Sequence, residues 1–196
     1  RDNTFYAVIH LKVGTADLTP PKPVSTIPIH TVVPGEYRQT ARGEAFVSEQ
    51  TLRADYRHGS QSIILTSPLD AVAAWARDPR IRELSIEQFA FLDTETSGLS
   101  GGTGTYAFMI GVGRFEGENF RLAQFFLRDP SEEPAMLEAL IDFLAPARAL
   151  VTFNGKAFDA PLLNTRYALH SIPSPLKDFA HVDLLPLARR LWRDRL

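Results

Sequence analysis

Cysteine is missing from all 196 residues. That removes disulfide frameworks, thiolate zinc sites and cysteine nucleophiles, and it fits a reducing setting, so a cytoplasmic location is expected. Net charge is almost missing as well: 21 Lys and Arg against 23 Asp and Glu leave −2 at pH 7. No bulk positive field is available to hold a polyanion, which would have to be met locally, through metals or a few basic side chains. No apolar run is long enough to span a bilayer and no charged-then-apolar leader is present, so no membrane partner is expected. No Gly-Lys-Ser/Thr follows the glycines at 98, 101, 102 and 104, which excludes a Walker phosphate loop. What is present, 44% hydrophobic and 22% charged residues, is an ordinary globular composition, with length for one domain or one domain and an appendage. The first residue is Arg1 rather than methionine, and a piece of a longer protein is expected.

Residues 1–66 alternate short apolar runs with turn chemistry. FYAVIHLKV (Phe5 to Val13) reads as a strand, and prolines at 20, 21, 23, 28 and 34 rule out helix or central strand after it. SPLDAVAAWARD then opens a helix, with Ser67 as N-cap, Pro68 at the first helical position and Asp70 closing a capping box. We read 1–85 as an N-terminal accessory region. From about residue 86 the spacing predicts strands over 88–95, 105–115 and 119–128, a helix over 131–145, a strand over 148–153, a helix over 157–170 and another from about 184. A turn at Glu116 to Asn119 makes the second and third strands an antiparallel hairpin. Three strands followed by helix, strand and helix imply an α/β fold, a mixed sheet with helices packed on it.

The chemistry concentrates in FAFLDTET, residues 89–96. Side chains two apart on a strand share a face, so Asp93 and Glu95 project together, roughly 6–7 Å apart at Cα. Phe89 and Phe91 precede them on that face and Ala90, Leu92 and Thr94 line the other, the pattern of a central strand buried on both sides. Two anions at such a strand end repel each other, and hard oxygen donors at that spacing suit Mg²⁺ or Mn²⁺. Alone, the pair reads as solvent-facing charge at a strand end, because such pairs are common by chance. A second stretch, ALVTFNGKAFDAPLL (149–163), sends a short strand through Asn154 and Gly155 into a helix whose first turn carries Asp159. Alone, Asp159 reads as a helix-start charge favoured by the dipole.

Together, FLDTET (91–96) and FNGKAFDAPLL (153–163) resemble the first two motifs of the DEDD, or DnaQ-like, 3'-5' exonucleases, which are built on a ribonuclease H-like fold. With SGLSGGTGTYAFMIGVG and HVDLLPLARRLW, the wording is similar to the YprB-type bacterial ribonuclease H-like proteins. The resemblance covers about residues 88–196. It implies that Asp93 bridges two divalent ions, Mg²⁺ or Mn²⁺, that Glu95 binds one of them and that Asp159 holds the second, directly or through water. Implied substrate contacts are Thr94, Thr96, Gly98, Leu99, Asn154, Lys156 and Phe158. The implied partner is nucleic acid, as single-stranded or frayed ends of DNA or RNA.

The family's third motif, a helix bearing a fourth carboxylate and a nearby His or Tyr, has no match before Leu196, so residues 86–196 are expected to be an exonuclease domain truncated before that motif. Asp183 suits a helix cap better than a ligand, and His181 suits packing better than a base. Leu184, Leu187, Ala188 and Leu191 are expected to pack inward from an amphipathic helix, leaving Arg189 and Arg193 wet. The expected activity is two-metal 3'-5' exonuclease hydrolysis, with a catalytically silent nucleic-acid or protein binding module as the rival. An aspartyl phosphatase would need a second Asp where Glu95 stands.

Overall fold

The computed structural model describes residues 27–64, 68–98 and 104–193. The expected strand at 5–13, the Ser67 cap, Leu99 and the glycines at 101 and 102 lie outside them. In chain order the described elements are β1 (Glu36–Thr40), β2 (Gly43–Leu52), the small ribbon β3 (Arg57–His58) and β4 (Gln61–Ser62), α1 (Asp70–Ala76), β5 (Phe89–Thr96), β6 (Ala107–Glu116), β7 (Asn119–Phe126), α2 (Glu133–Leu144), β8 (Ala149–Thr152), α3 (Asp159–Leu169), β9 (Ala180–Asp183) and α4 (Leu184–Leu191). Among the described residues seven strands form one sheet in the order β1-β2-β7-β6-β5-β8-β9. The four pairings from β1 to β5 are not all sequential, but every one is antiparallel, whereas β5, β8 and β9 run parallel.

The expected mixed α/β sheet is what forms, and local chemistry explains its best-defined parts. The β6–β7 hairpin turns at Gly117, whose φ of 59° is left-handed and costs glycine little. Its register, Glu116 opposite Asn119, is the expected one. The helix expected over 131–145 forms from Glu133 to Leu144 as α2, after a 3-10 turn that Asp129 caps: its carboxylate accepts from the Ser131 backbone N–H at 2.9 Å.

The sheet also runs across the expected division at residues 85 and 86. β2 lies antiparallel on β7, from Phe46 opposite Phe126 to Leu52 opposite Phe120, and β1 pairs on β2. Residues 36–52 therefore build the same sheet as the motifs do. One face packs Val47, Ala90, Leu92, Ile110, Val112 and Phe125 against Met136, Leu137 and Leu140 of α2 and Leu163 and Tyr167 of α3. The other packs Phe89, Val151 and Val182 against Ala73 of α1 and Ile81. β5 is thus central, with Phe89, Ala90 and Leu92 buried and Phe91 half-buried, as its alternation requires.

The expected inward face of α4 is only partly realised. Ala188 is buried, but Leu184 and Leu191 remain 38% and 59% exposed, and Trp192 beyond them 50%. This helix follows the edge strand β9, where the sheet offers too little surface to cover a whole apolar stripe. Among the described residues no helix is long and apolar enough to cross a membrane.

Candidate functional site

The site begins where the parallel pairing stops. β5 and β8 run side by side from Phe89 opposite Ala149 to Phe91 opposite Val151. β8 ends at Thr152, while β5 continues to Thr96 with β6 as its partner on the other side. The strands part just as Asp93 is reached, and crevices of this kind at the carboxyl ends of strands are where open α/β sheets place ligands.

The chain leaving β8 forms the opposite bank. Asn154 adopts φ 66°, and Gly155 packs so tightly that an added Cβ would stand 2.5 Å from Thr152 Cβ. Asp183 fastens this turn: its carboxylate accepts from the backbone N–H of Asn154 at 2.8 Å and of Lys156 at 3.1 Å, and from Leu185 at 3.0 Å as the cap of α4. Burial opposes the Asp183 charge, but donation by the N–H groups of Leu185, Asn154 and Lys156, with His181 nearby, outweighs it and holds the carboxyl below its ordinary range. Asp183 is therefore structural, as its sequence position suggested. His181 is tied to the buried Thr152, Nε2 to Oγ1 2.8 Å, and does not line the cleft.

Between the banks lies a cleft of about 490 Å³, the size of small-molecule sites. From β5 and the segment after it come Asp93, Thr94, Thr96 and Gly98, from the turn Phe153, Asn154 and Phe158, and from α3 Asp159, Leu162 and Thr165. Phe153 and Phe158 are each 58% exposed, an unusual state for phenylalanine that leaves two rings at the rim.

Of the sequence-derived site residues, Asp93, Asp159, Thr94, Thr96, Gly98, Asn154 and Phe158 line this one cleft. Glu95 and Lys156 do not. Sequence reasoning missed Phe153, Thr105, Leu162 and Thr165; the last two follow Asp159 at spacings of three and six on one flank of α3, a helical signal that was available.

The three acidic side chains do not meet as a cradle. Among the described residues no group of three or more His, Asp or Glu is gathered closely enough to hold a metal ion. The reason is strand alternation. α3 packs on the Ala90–Leu92 face of β5, so Asp159 meets Thr94, whose hydroxyl donates to it at 2.5 Å, while Asp93 and Glu95 belong to the opposite parity. Asp93 still reaches the cleft, where the strands diverge. Asp159 is buried, and desolvation raises its pKa, with the Asp93 charge adding to the effect and the Thr94 hydrogen bond opposing it. Asp93 is exposed, and its side chain makes no hydrogen bond or salt bridge among the described residues. Such a pair, one anion desolvated and one unpartnered, suits a hard cation, since Mg²⁺ needs only one or two carboxylates beside substrate oxygens.

A stability consequence follows with a definite sign. A carboxyl whose folded pKa is raised above its ordinary 3.8 costs stability once pH rises through the folded value. Asp159→Asn keeps an oxygen for Thr94 and removes the charge. It is expected to raise Tm at neutral pH, each 1 kcal/mol relieved showing as roughly 2–4 °C in a chain of this length, with the gain vanishing below the ordinary carboxyl value of 3.8. Calorimetry at pH 7 and pH 3.5 checks both.

The comparisons with known proteins agree with this geometry. A family model described as RNase_H superfamily matches residues 90–196, which takes in β5, the turn and α3. The chain is 34% identical over 147 residues to YprB of Bacillus subtilis (strain 168), covering 72% of this chain and 35% of that protein's length. A matched region holding the cleft and the central strands, on a mixed sheet of this order, places the chain in the ribonuclease H superfamily.

Proposed function

We propose that the chain carries the substrate cleft of a divalent-metal-dependent nuclease, of 3'-5' exonuclease type, acting on single-stranded or frayed nucleic-acid ends. The observation that carries this reading is the convergence of Asp93 and Asp159, from two separate motifs, on one cleft where β5 and β8 part. The superfamily suggests nuclease chemistry in general; polarity and metal dependence rest on the motif resemblance and on the donor set.

Asp93 and Asp159 would hold Mg²⁺ or Mn²⁺, with Glu95 a further carboxylate two residues along the same strand. Bound there, the metal supplies Lewis-acid activation of water and charge stabilisation at the scissile phosphate. The remaining roles belong to the protein. Phe153 and Phe158 stack on terminal bases, which needs no sequence preference because every base has a π-face. Asn154, aimed into the cleft by its left-handed backbone, contacts the sugar or phosphate. Lys156, exposed beside the turn, offers a point charge to a phosphate farther along the strand.

A second reading, the catalytically silent binding module, is favoured by one observation: Glu95 stands outside the cleft. One assay separates the two. Full-length protein incubated with a 5'-labelled single-stranded oligonucleotide is expected to yield a ladder shortening from the 3' end with Mn²⁺ or Mg²⁺, and nothing with EDTA. Retarded but intact oligonucleotide under all metal conditions would decide for the silent module.

A further inference from the structure

Glu133 lies in the first turn of α2 with its side chain 2% exposed, a rare place for a carboxylate. It is answered from the last turns of α3. Arg166 Nε donates to Glu133 Oε1 at 2.6 Å, its Nη2 donates to Oε2, and His170 Nε2 lies 2.6 Å from the same Oε2. Arg166 Nη1 also reaches the carbonyl oxygen of Thr105 at 3.5 Å. Thr105 is a cleft residue, and Arg166 stands seven positions after Asp159, two turns along the same flank of α3.

We propose that Glu133 and Arg166 are positioning residues for the cleft, a buried clamp that fixes the azimuth of α3, and with it Asp159, relative to the Thr105 wall. The planar guanidinium is what makes this possible. It engages both oxygens of Glu133 in a fork while another of its N–H groups points at the Thr105 carbonyl; a lysine ammonium is a point charge and cannot hold all three directions. Since α3 is a rigid rod, rotation at Arg166 moves Asp159 away from Thr94 and Asp93, and small misplacements at reacting groups cost heavily. The core beneath α3 does not set this angle alone: Leu163 is an apolar contact without direction, and the Tyr167 hydroxyl, which donates to the Leu137 carbonyl oxygen at 3.2 Å, ties α3 to α2 but not to the Thr105 wall. Only the kinetic part of the inference rests on the nuclease reading.

The test uses full-length protein and two variants. Arg166→Lys retains the charge. The pair Glu133→Met with Arg166→Met replaces the buried ions by apolar volume, a change that commonly preserves stability. Each is followed by turnover of a labelled single-stranded oligonucleotide with Mn²⁺ and by amide hydrogen exchange. Positioning predicts a kcat lower by about tenfold or more with KM changed by less than about threefold, in both variants, measured well below their melting temperatures. It also predicts faster exchange at residues 105–106 and 159–165, with β6 and β7 unchanged. Wild-type kcat in the folded Met pair would reduce the clamp to a purely structural element and overturn the proposal. Should wild-type protein cleave nothing, the nuclease reading falls by itself, and the exchange pattern alone decides: accelerated exchange at both walls upholds the clamp, and unaltered exchange removes it.

Discussion

Asp93→Ala is expected to abolish metal-dependent cleavage, by at least about 10²–10³-fold, the loss that follows removal of one directed electrostatic group from an active site. The fold should be untouched. Asp93 is exposed, its side chain has no hydrogen bond or salt bridge to lose among the described residues, and its backbone stays paired with Gly111 in the ladder. Removing its charge also relieves Asp159 of a repulsive neighbour, so Tm should hold or rise slightly. Activity and calorimetry on one preparation check both halves. An intact fold that still cleaves at the wild-type rate would remove the catalytic role from this strand. Glu95→Ala is the informative companion, because Glu95 lies outside the cleft lining.

The largest expected loss of stability lies elsewhere, at Glu133→Ala. With Glu133 gone, Arg166, 13% exposed, and His170 face a buried gap instead of a carboxylate. Breaking a buried pair from one side costs about 3–5 kcal/mol, or roughly 6–20 °C in Tm for a chain of this size. The pH dependence has the opposite sign to that of Asp159. Burial opposes the Glu133 charge, but hydrogen bonds from Arg166 and His170 outweigh it and hold the carboxyl below its ordinary 4.5. A depressed carboxyl pKa contributes stability that is complete above the unfolded value and is lost as pH falls through the folded one. Wild-type and Glu133→Ala melting curves should therefore converge below about pH 4.5 and separate fully at neutral pH. Parallel curves across that range would show that the pair does not stabilise through its charge.

These two residues also mark how far the sequence could be read. Asp93 was legible because a period-two pattern identifies a buried strand, and two carboxylates at the end of one stand out. The β6–β7 hairpin and α2 were legible for the same reason, each being written in a continuous local pattern. Glu133 was not, since an acid in the first turn of a helix is ordinary, and its partners lie 33 and 37 residues away. The pairing of β2 with β7 was equally hidden: GEAFVSEQTL carries no sign of which strand it will join. Glu95 shows a subtler limit. Alternation groups it with Asp93, yet only Asp93 lines the cleft, and which side of β5 receives α3 is settled by packing of Leu163 and Tyr167, not by the motif.

The ladder between β2 and β7 has a bearing on how the molecule can be divided. Cutting it down to the family-matched region would strip β7 from Phe120 to Phe126 of its neighbour, exposing a row of unanswered N–H and C=O groups beside half-buried phenylalanines. Such a bare edge invites strand-to-strand association between copies. The residues between Glu36 and Leu52 thus act as the protective border of the sheet that carries the cleft, and the smallest well-behaved unit begins before them.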